Sequence, residues 1–289
     1  MPGWALATSD DGPAPTPLPP PAPPALGMIF WVGKGNADLL ATGSDMTGWI
    51  DQGGQSQDLN LTSTPPPQVG AASVDGVDAI SLSLDDDGNY ASRNTAMKDR
   101  NGDPLPYTAP RTIMAIFRPR HHVAVNRVGG PVFATADQPN FECLFQVENW
   151  FTFADAQFIF DNIWSFSGYQ ILGPVTTLAE WEDVWTMAEW RSSGFPNIAS
   201  AVNGVDNPLQ TTSSVPTTNQ NGAEAAGAGS TFAVGNCWNN TGGLIAANFH
   251  GDIAEVIMWD YDLATDPTAL AQARAYFAYR YPSIPIVVT

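Results

Sequence analysis

Cleaving a glycosidic bond takes two carboxyl groups about 5–9.5 Å apart, so the acidic residues of this 289-residue chain are the first place to look for chemistry. Glu142 and Glu148 share a face of one predicted strand, but six residues at ~3.3 Å each hold them roughly 20 Å apart. Glu180 and Glu182 flank Trp181 and would sit about 7 Å apart if extended. In so acidic a chain, a solvated loop is the expected reading of that pair. Glu255 is different: in a regular strand it shares a face with Ile253 and Ile257, which would bury it. A buried carboxylate must be paired or protonated. No second acid lies beside it for catalysis, so Glu255 reads as a structural acid, accepting from backbone N–H groups or an arginine such as Arg111. No catalytic residue is assigned.

Metal and nucleophile chemistry have less support. His121 and His122 are adjacent, so on a strand they point to opposite faces and cannot grip one ion. His250 stands alone beside a glycine turn. No His-Glu-x-x-His, Cys-x-x-Cys, phosphate-binding glycine loop or Gly-x-Ser-x-Gly elbow occurs in the sequence. Asp85, Asp86, Asp87 and Asn89 gather hard oxygen donors around a turn, and calcium takes six to eight such oxygens. The spacing is not that of an EF-hand, so the expectation is an exposed acidic turn and no cofactor, with calcium the ion those residues would take. Sugar binding pairs an aromatic platform with amides. Trp238, Asn239 and Asn240 offer that combination in one loop, and Trp164 after Asn162 offers an aromatic in a second.

The elements that must position these groups are mostly strands. From Arg111 to Phe117 both parities are apolar, as in a central strand covered on both faces. The compact part begins at Met28-Ile29-Phe30-Trp31, and further strands are predicted at Val132–Ala134, Phe141–Val147, Phe158–Phe160, Val184–Trp190, Ile198–Val202, Thr231–Val234 and Ile253–Trp259. Loops rich in Gly, Asn, Ser and Thr separate them, the pattern of a sandwich or jelly roll. One helix is predicted near the end. Asp266 caps it, Pro267 occupies its first position, Leu270, Ala273, Phe277 and Tyr281 form its apolar face, and Pro282 stops it. Cys143 alternates with Phe141, Phe145 and Val147 and is expected to be a buried free thiol, with pairing to Cys237 the other reading.

Composition narrows the partners. The net charge is −18, hydrophobic residues make up 44% and charged residues only 14%. Such a surface repels a phosphate backbone, so nucleic acid is excluded as a partner. No run reaches the ~18–20 apolar residues of a membrane span, and no basic-then-apolar leader marks a secretory signal. Residues 1–27 read as an extended arm outside the domain. Pro13, Pro15, Pro17, Pro19, Pro20, Pro21, Pro23 and Pro24, broken only by Ala, Thr and Leu, favour polyproline II and span about 37 Å at ~3.1 Å per residue. The arm is either an unfolded leader or a strap that orders along a partner, with Trp4 and Leu6 as anchors.

Four short motifs in order carry a resemblance. Trp49-Ile50-Asp51-Gln52-Gly53-Gly54 resembles the "W-x-D-x-S-G" turn of the concanavalin A-like lectin/glucanase superfamily, laminin-G-like branch, with Gly53 where serine is usual. Val74-Asp75-Gly76-Val77-Asp78 resembles its "F-D-G-x-D-D" element, with Val74 for Phe and Ala79 for the second Asp. Ala201-Val202-Asn203-Gly204 resembles its "V-N-G" turn. Gly251-Asp252-Ile253-Ala254-Glu255-Val256, with Tyr279-Arg280-Tyr281, resembles its closing "G-D-I-A-E-V … Y-L-x-x-K-Y". The match runs over residues 28–284. It implies two packed antiparallel sheets, and members include glycan binders, enzymes and viral surface proteins. The Glu-x-Asp-x-x-Glu motif of the enzymes is absent here.

The fold expected is therefore an all-β, two-sheet antiparallel jelly roll over residues 28–289, with one short C-terminal helix and an extended proline-rich arm. The expected function is non-enzymatic: a decoration, fibre or tail component on the surface of a tailed-phage virion, touching other virion proteins or copies of itself through the arm. A lectin-like, extracellular adhesion module binding cell-surface glycans is the alternative, and a glycoside hydrolase is third.

Overall fold

A computed structural model describes residues 19–61, 66–82, 91–93, 99–103, 105, 109–122, 127–128, 130–137, 140–148, 155–162, 169–172, 176–177, 182–194, 197–206, 210–211, 231–235 and 249–289. The closing strand, Gly251–Trp259, lies at the centre of one sheet. Along one side it pairs over its whole length with Arg111–Pro119. Its other side is shared, with Val77–Leu82 against its first half and Met28–Val32 against its second. Beyond Arg111–Pro119 come Thr186–Gly194, Asn197–Val202 and Val205–Asp206, all antiparallel. Gln68–Val74 flanks Val77–Leu82 on the other edge.

The second sheet runs from Leu39–Thr42 through Asp45–Trp49, Leu59–Leu61, Ala91–Arg93, Thr231–Val234, Gly130–Asp137, Asn140–Glu148, Asp155–Asn162 and Tyr169–Leu172 to Gln210–Thr211. One pairing, Asp45 with Gln68, joins the sheets along an edge. The short members Leu39–Thr42, Asp45–Trp49 and Leu59–Leu61 carry too little alternation to read from the sequence.

Two apolar layers result. Between the sheets lie Phe30, Trp49, Ile113, Phe117, Trp190 and Met258 with their neighbours. Outside the first sheet, Met114, Ile116, Met187, Ile257 and Trp259 meet the helix Pro267–Arg280 through Leu270, Ala273 and Phe277, together with Tyr281 at its C-cap. This second layer is why Arg111–Phe117 is apolar at both parities. Each large side chain so buried contributes about 1.5–3 kcal/mol. The helix begins as expected: the Asp266 carboxylate accepts from the backbone N–H groups of Thr268 and Ala269, both at 3.1 Å.

Two tight hairpins hold the tail against this layer. Asp75 and Gly76, and likewise Asn203 and Gly204, have the paired positive φ of two-residue turns. Asp75 accepts from the Ser283 backbone N–H at 3.1 Å, and the Asn203 carbonyl accepts from Val287 at 2.8 Å. At Gly204 a Cβ would come within 2.1 Å of the Val287 carbonyl oxygen, so the tail's approach requires glycine.

The arm does not stay clear of the body along its whole length. Pro23 and Pro24 are buried, so packing begins before residue 28.

Candidate functional site

Glu255 reaches its position through a β-bulge. The register along Arg111–Pro119 shifts between Ile253 and Glu255, leaving Ala254 as the extra residue. Ile253 therefore faces the core between the sheets, whereas Ala254 and Ile257 face the helix. Glu255 shares its face with Ile257 but not with Ile253, because a bulge breaks the alternation that regular spacing implies.

Fully buried, the carboxylate is saturated by donors from the first strand and from the helix with its C-cap residue. The Trp31 indole N–H and the Tyr276 hydroxyl donate to Oε1, both at 2.6 Å. The Tyr281 hydroxyl donates to Oε2 at 2.6 Å, and Arg280 Nε to the same oxygen at 3.1 Å. The arginine is Arg280 rather than Arg111, whose guanidinium lies 5.7 Å from the Trp190 ring centre. Burial pushes the Glu255 carboxyl above its usual range, opposed chiefly by the Arg280 charge and then by the hydroxyl and indole donors. Burial and the neighbouring Glu255 push the Tyr276 and Tyr281 hydroxyls up as well. The arrangement fastens the first strand, the closing strand and the helix to one another.

A second buried acid repeats the device. Glu189, fully buried, takes a two-pronged ion pair from Arg274 of the helix, with both N–O distances 2.9 Å. Arg191 Nε lies 2.8 Å from the same carboxylate, and both arginines reach the exposed Asp206. Sequence spacing gave no sign of Glu189, because its partner comes from a helix eighty-five positions away.

Asp51, in the tryptophan-containing turn, serves the backbone. Its Oδ1 accepts from Trp31 N–H at 2.8 Å and Gly53 N–H at 2.7 Å, and its Oδ2 accepts from Gln57 N–H at 2.8 Å. Burial raises its carboxyl, with those three N–H groups working against the rise. Glycine at 53 is required by the close approach of Phe30, whose backbone a Cβ would meet at 2.6 Å. Asp252 is likewise consumed, by Arg118 at 2.7 Å and the Ser81 hydroxyl at 2.5 Å.

The other polar feature of this face is the seat of the arm. The Trp259 indole N–H donates to the Pro24 carbonyl at 2.8 Å, and the Gln272 amide donates to the Ala22 carbonyl at 2.9 Å. Of the predicted arm residues, Pro19, Pro20 and Pro21 are also described, the first two exposed. Trp4, Leu6, Pro13, Pro15 and Pro17 lie outside the described residues, as do the glycan candidates Trp164, Trp238, Asn239 and Asn240, the acidic turn Asp85, Asp86, Asp87 and Asn89, and any Cys143–Cys237 pairing. Among the described residues no group of three or more His, Cys, Asp or Glu is placed to hold a metal, and no helix is long and apolar enough to cross a membrane.

Two antiparallel sheets with a helix sealing one outer face define a concanavalin A-like jelly roll. No protein-family model matches the chain, and no curated protein matches it in sequence. Solved structures do match its fold. The receptor binding domain of botulinum neurotoxin D superposes with a TM-score of 0.51 at 10% identity, over 85% of this chain and 52% of that one. The binding domain of Paraclostridial Mosquitocidal Protein 1 gives 0.50 at 9%, over 88% and 52%. A Trypanosoma rangeli sialidase in complex with the inhibitor DANA gives 0.52 at 12%, over 92% and 34%. The chain thus spans about half the length of the two binding domains and a third of the sialidase. At such identities the likeness is one of fold.

Proposed function

We propose that this chain is a non-enzymatic structural and binding module displayed on the surface of an assembled particle, specifically a tailed-phage virion, and attached through its N-terminal arm. The observation that carries this reading is the arm's seat. Pro23 and Pro24 are buried, and the carbonyls of Ala22 and Pro24 are held by Gln272 and Trp259. The arm therefore leaves the body at a fixed point on the helix-covered face, as a tether must if the opposite sheet is to face outward. The acids buried in the described part, Glu255, Glu189, Asp38, Asp51 and Asp252, support a non-catalytic reading, since each is engaged by structural partners.

Co-sedimentation with tailed-phage particles assembled without this chain tests the reading. The deletion must stop at residue 18, because removing 19–27 would strip Trp259 of its acceptor. The full chain is expected to sediment with the particles, and the chain of residues 19–289 to remain in the supernatant with its melting temperature unchanged. Equal sedimentation of both would overturn arm docking.

A second reading is favoured by the likeness to two structures named as binding domains: a lectin-like module whose Trp238, Asn239 and Asn240 contact cell-surface glycans. On a glycan array the full chain is expected to give signals that Trp238→Ala abolishes. Silence across bacterial polysaccharides would refute that reading.

A further inference from the structure

We propose that the seat of residues 22–24 is a polyproline-recognition groove that also accepts the same segment of a second copy, so that chains link by reciprocal exchange of their arms. The inference goes beyond the function proposed above and is independent of any particle.

The chemistry of the seat is that of polyproline recognition. A polyproline II segment has no internal hydrogen bonds and, at each proline, no N–H to donate, so a partner can address its backbone only with donors aimed at its carbonyls. The body supplies two: the Trp259 indole at 2.8 Å from the Pro24 oxygen and the Gln272 amide at 2.9 Å from the Ala22 oxygen. Between and beside those carbonyls, the rings of Pro23 and Pro24 are buried. An aromatic N–H with apolar burial around it is how such segments are held in the known proline-binding grooves. Nothing in these contacts distinguishes the chain's own arm from that of a neighbour.

The link between arm and body decides which arm is used. It is a single turn, in which Met28 N–H reaches the Ala25 carbonyl over a long 3.3 Å. Leu26 in that turn is 66% exposed. Gly27 has φ +70°, and a Cβ there would meet the Tyr261 ring at 2.6 Å and Arg100 at 2.7 Å. Past the turn, the Gly27 carbonyl accepts from Asp260 N–H at 2.9 Å and anchors the start of the first strand. Opening the turn loses one long hydrogen bond and leaves that anchor in place. It also empties the seat and uncovers the Trp259 N–H and the surface that Pro23 and Pro24 cover, so refilling by another arm regains burial that a vacant seat loses. Two chains that exchange arms recover every contact of the seat and forgo only the turn's own long hydrogen bond, the ordinary condition for a swapped pair.

The test uses the full chain carrying a photo-reactive residue in place of Pro21, as an equal mixture of light and heavy isotope forms, read by light scattering and by mass spectrometry of cross-links to the helix. Mixed-isotope cross-links are expected to rise with protein concentration. Gly27→Val, which strains the turn and leaves the seat intact, should raise the dimer fraction at least tenfold. Adding Trp259→Phe, which keeps a buried ring but removes the N–H, should return that variant to monomer. Refolding the chain with native Gly27 from denaturant at high concentration gives the same readout should the valine variant fail to fold. Same-isotope cross-links alone at every concentration would overturn the proposal, as would dimers whose cross-links remain same-isotope. Displacement of the arm by an unrelated proline-rich peptide with no mixed cross-links would assign the seat to a foreign partner, and arm exchange would again be refuted.

Discussion

Glu255→Ala lowers the stability of this chain by about 3–5 kcal/mol, the usual result of removing one partner from a buried charged cluster. The expectation rests on four donors losing their acceptor together: the Trp31 indole, the Tyr276 and Tyr281 hydroxyls and Arg280 Nε. Arg280 keeps the carbonyls of Gly33 and Lys34 as acceptors. Trp31, Tyr276 and Tyr281 are buried and have no such recourse. Glu255→Gln should cost less but not nothing. Whichever way its amide turns, the NH2 group faces either the indole N–H or the guanidinium N–H, and neither can accept. Denaturant unfolding monitored by tryptophan fluorescence measures both. A loss below about 1 kcal/mol for the alanine variant would show that the cluster does not fasten the helix.

The same site has a pH signature. Burial raises the folded-state Glu255 carboxyl above its unfolded value of 4.5, so between those two values the folded chain holds the proton more often than the unfolded chain. Stability from this group is then fullest below the unfolded value and falls as pH rises through the folded one. Lowering pH from about 7 to about 5 should therefore increase the stability of the native chain relative to Glu255→Gln. A difference that is flat or shrinks over that interval would mean that the donors outweigh desolvation and hold the carboxylate ionised.

Asp51→Ala is the second large effect, expected to cost about 3 kcal/mol or more, since each buried N–H left without an acceptor costs about 1–3 kcal/mol. Three backbone N–H groups, of Trp31, Gly53 and Gln57, lose their acceptor at once. These groups belong to the first strand and to the loop that crosses it, so the damage should be local. Hydrogen exchange should quicken at Trp31, Gly53 and Gln57 while the amides of the central strand Arg111–Pro119 stay protected. Unchanged exchange at those three amides would contradict the assigned role.

The two acids differ in how far the sequence announced them. Asp51 sits in a tryptophan-containing turn whose residue order marks the fold, and a local turn is legible because its partners are near in the chain: Gly53 and Gln57 are two and six residues away. Glu255 was recognisable as a buried structural acid from the apolar residues around it. Its face and its partners were not recognisable, for one backbone reason and one topological reason. The bulge at Ala254 depends on pairing with a strand more than a hundred residues earlier, and local propensity carries no trace of it. Trp31 comes to the carboxylate from 224 positions away.

The arm divides in the same way. Composition by itself raises the expectation of an extended segment over residues 13–24, of which the structure describes 19–24, because proline fixes φ and removes the N–H that a helix or sheet ladder would need. It also determined the acidic, strand-rich body and the capped closing helix, which arise from charge, side-chain alternation and a local cap. Only the tertiary structure decided that Pro23 and Pro24 are buried and that Trp259 and Gln272 hold the carbonyls beside them. The physical reason is separation: both donors lie more than two hundred residues from the carbonyls they hold. They form a seat only once the closing strand has paired and the helix has packed across it.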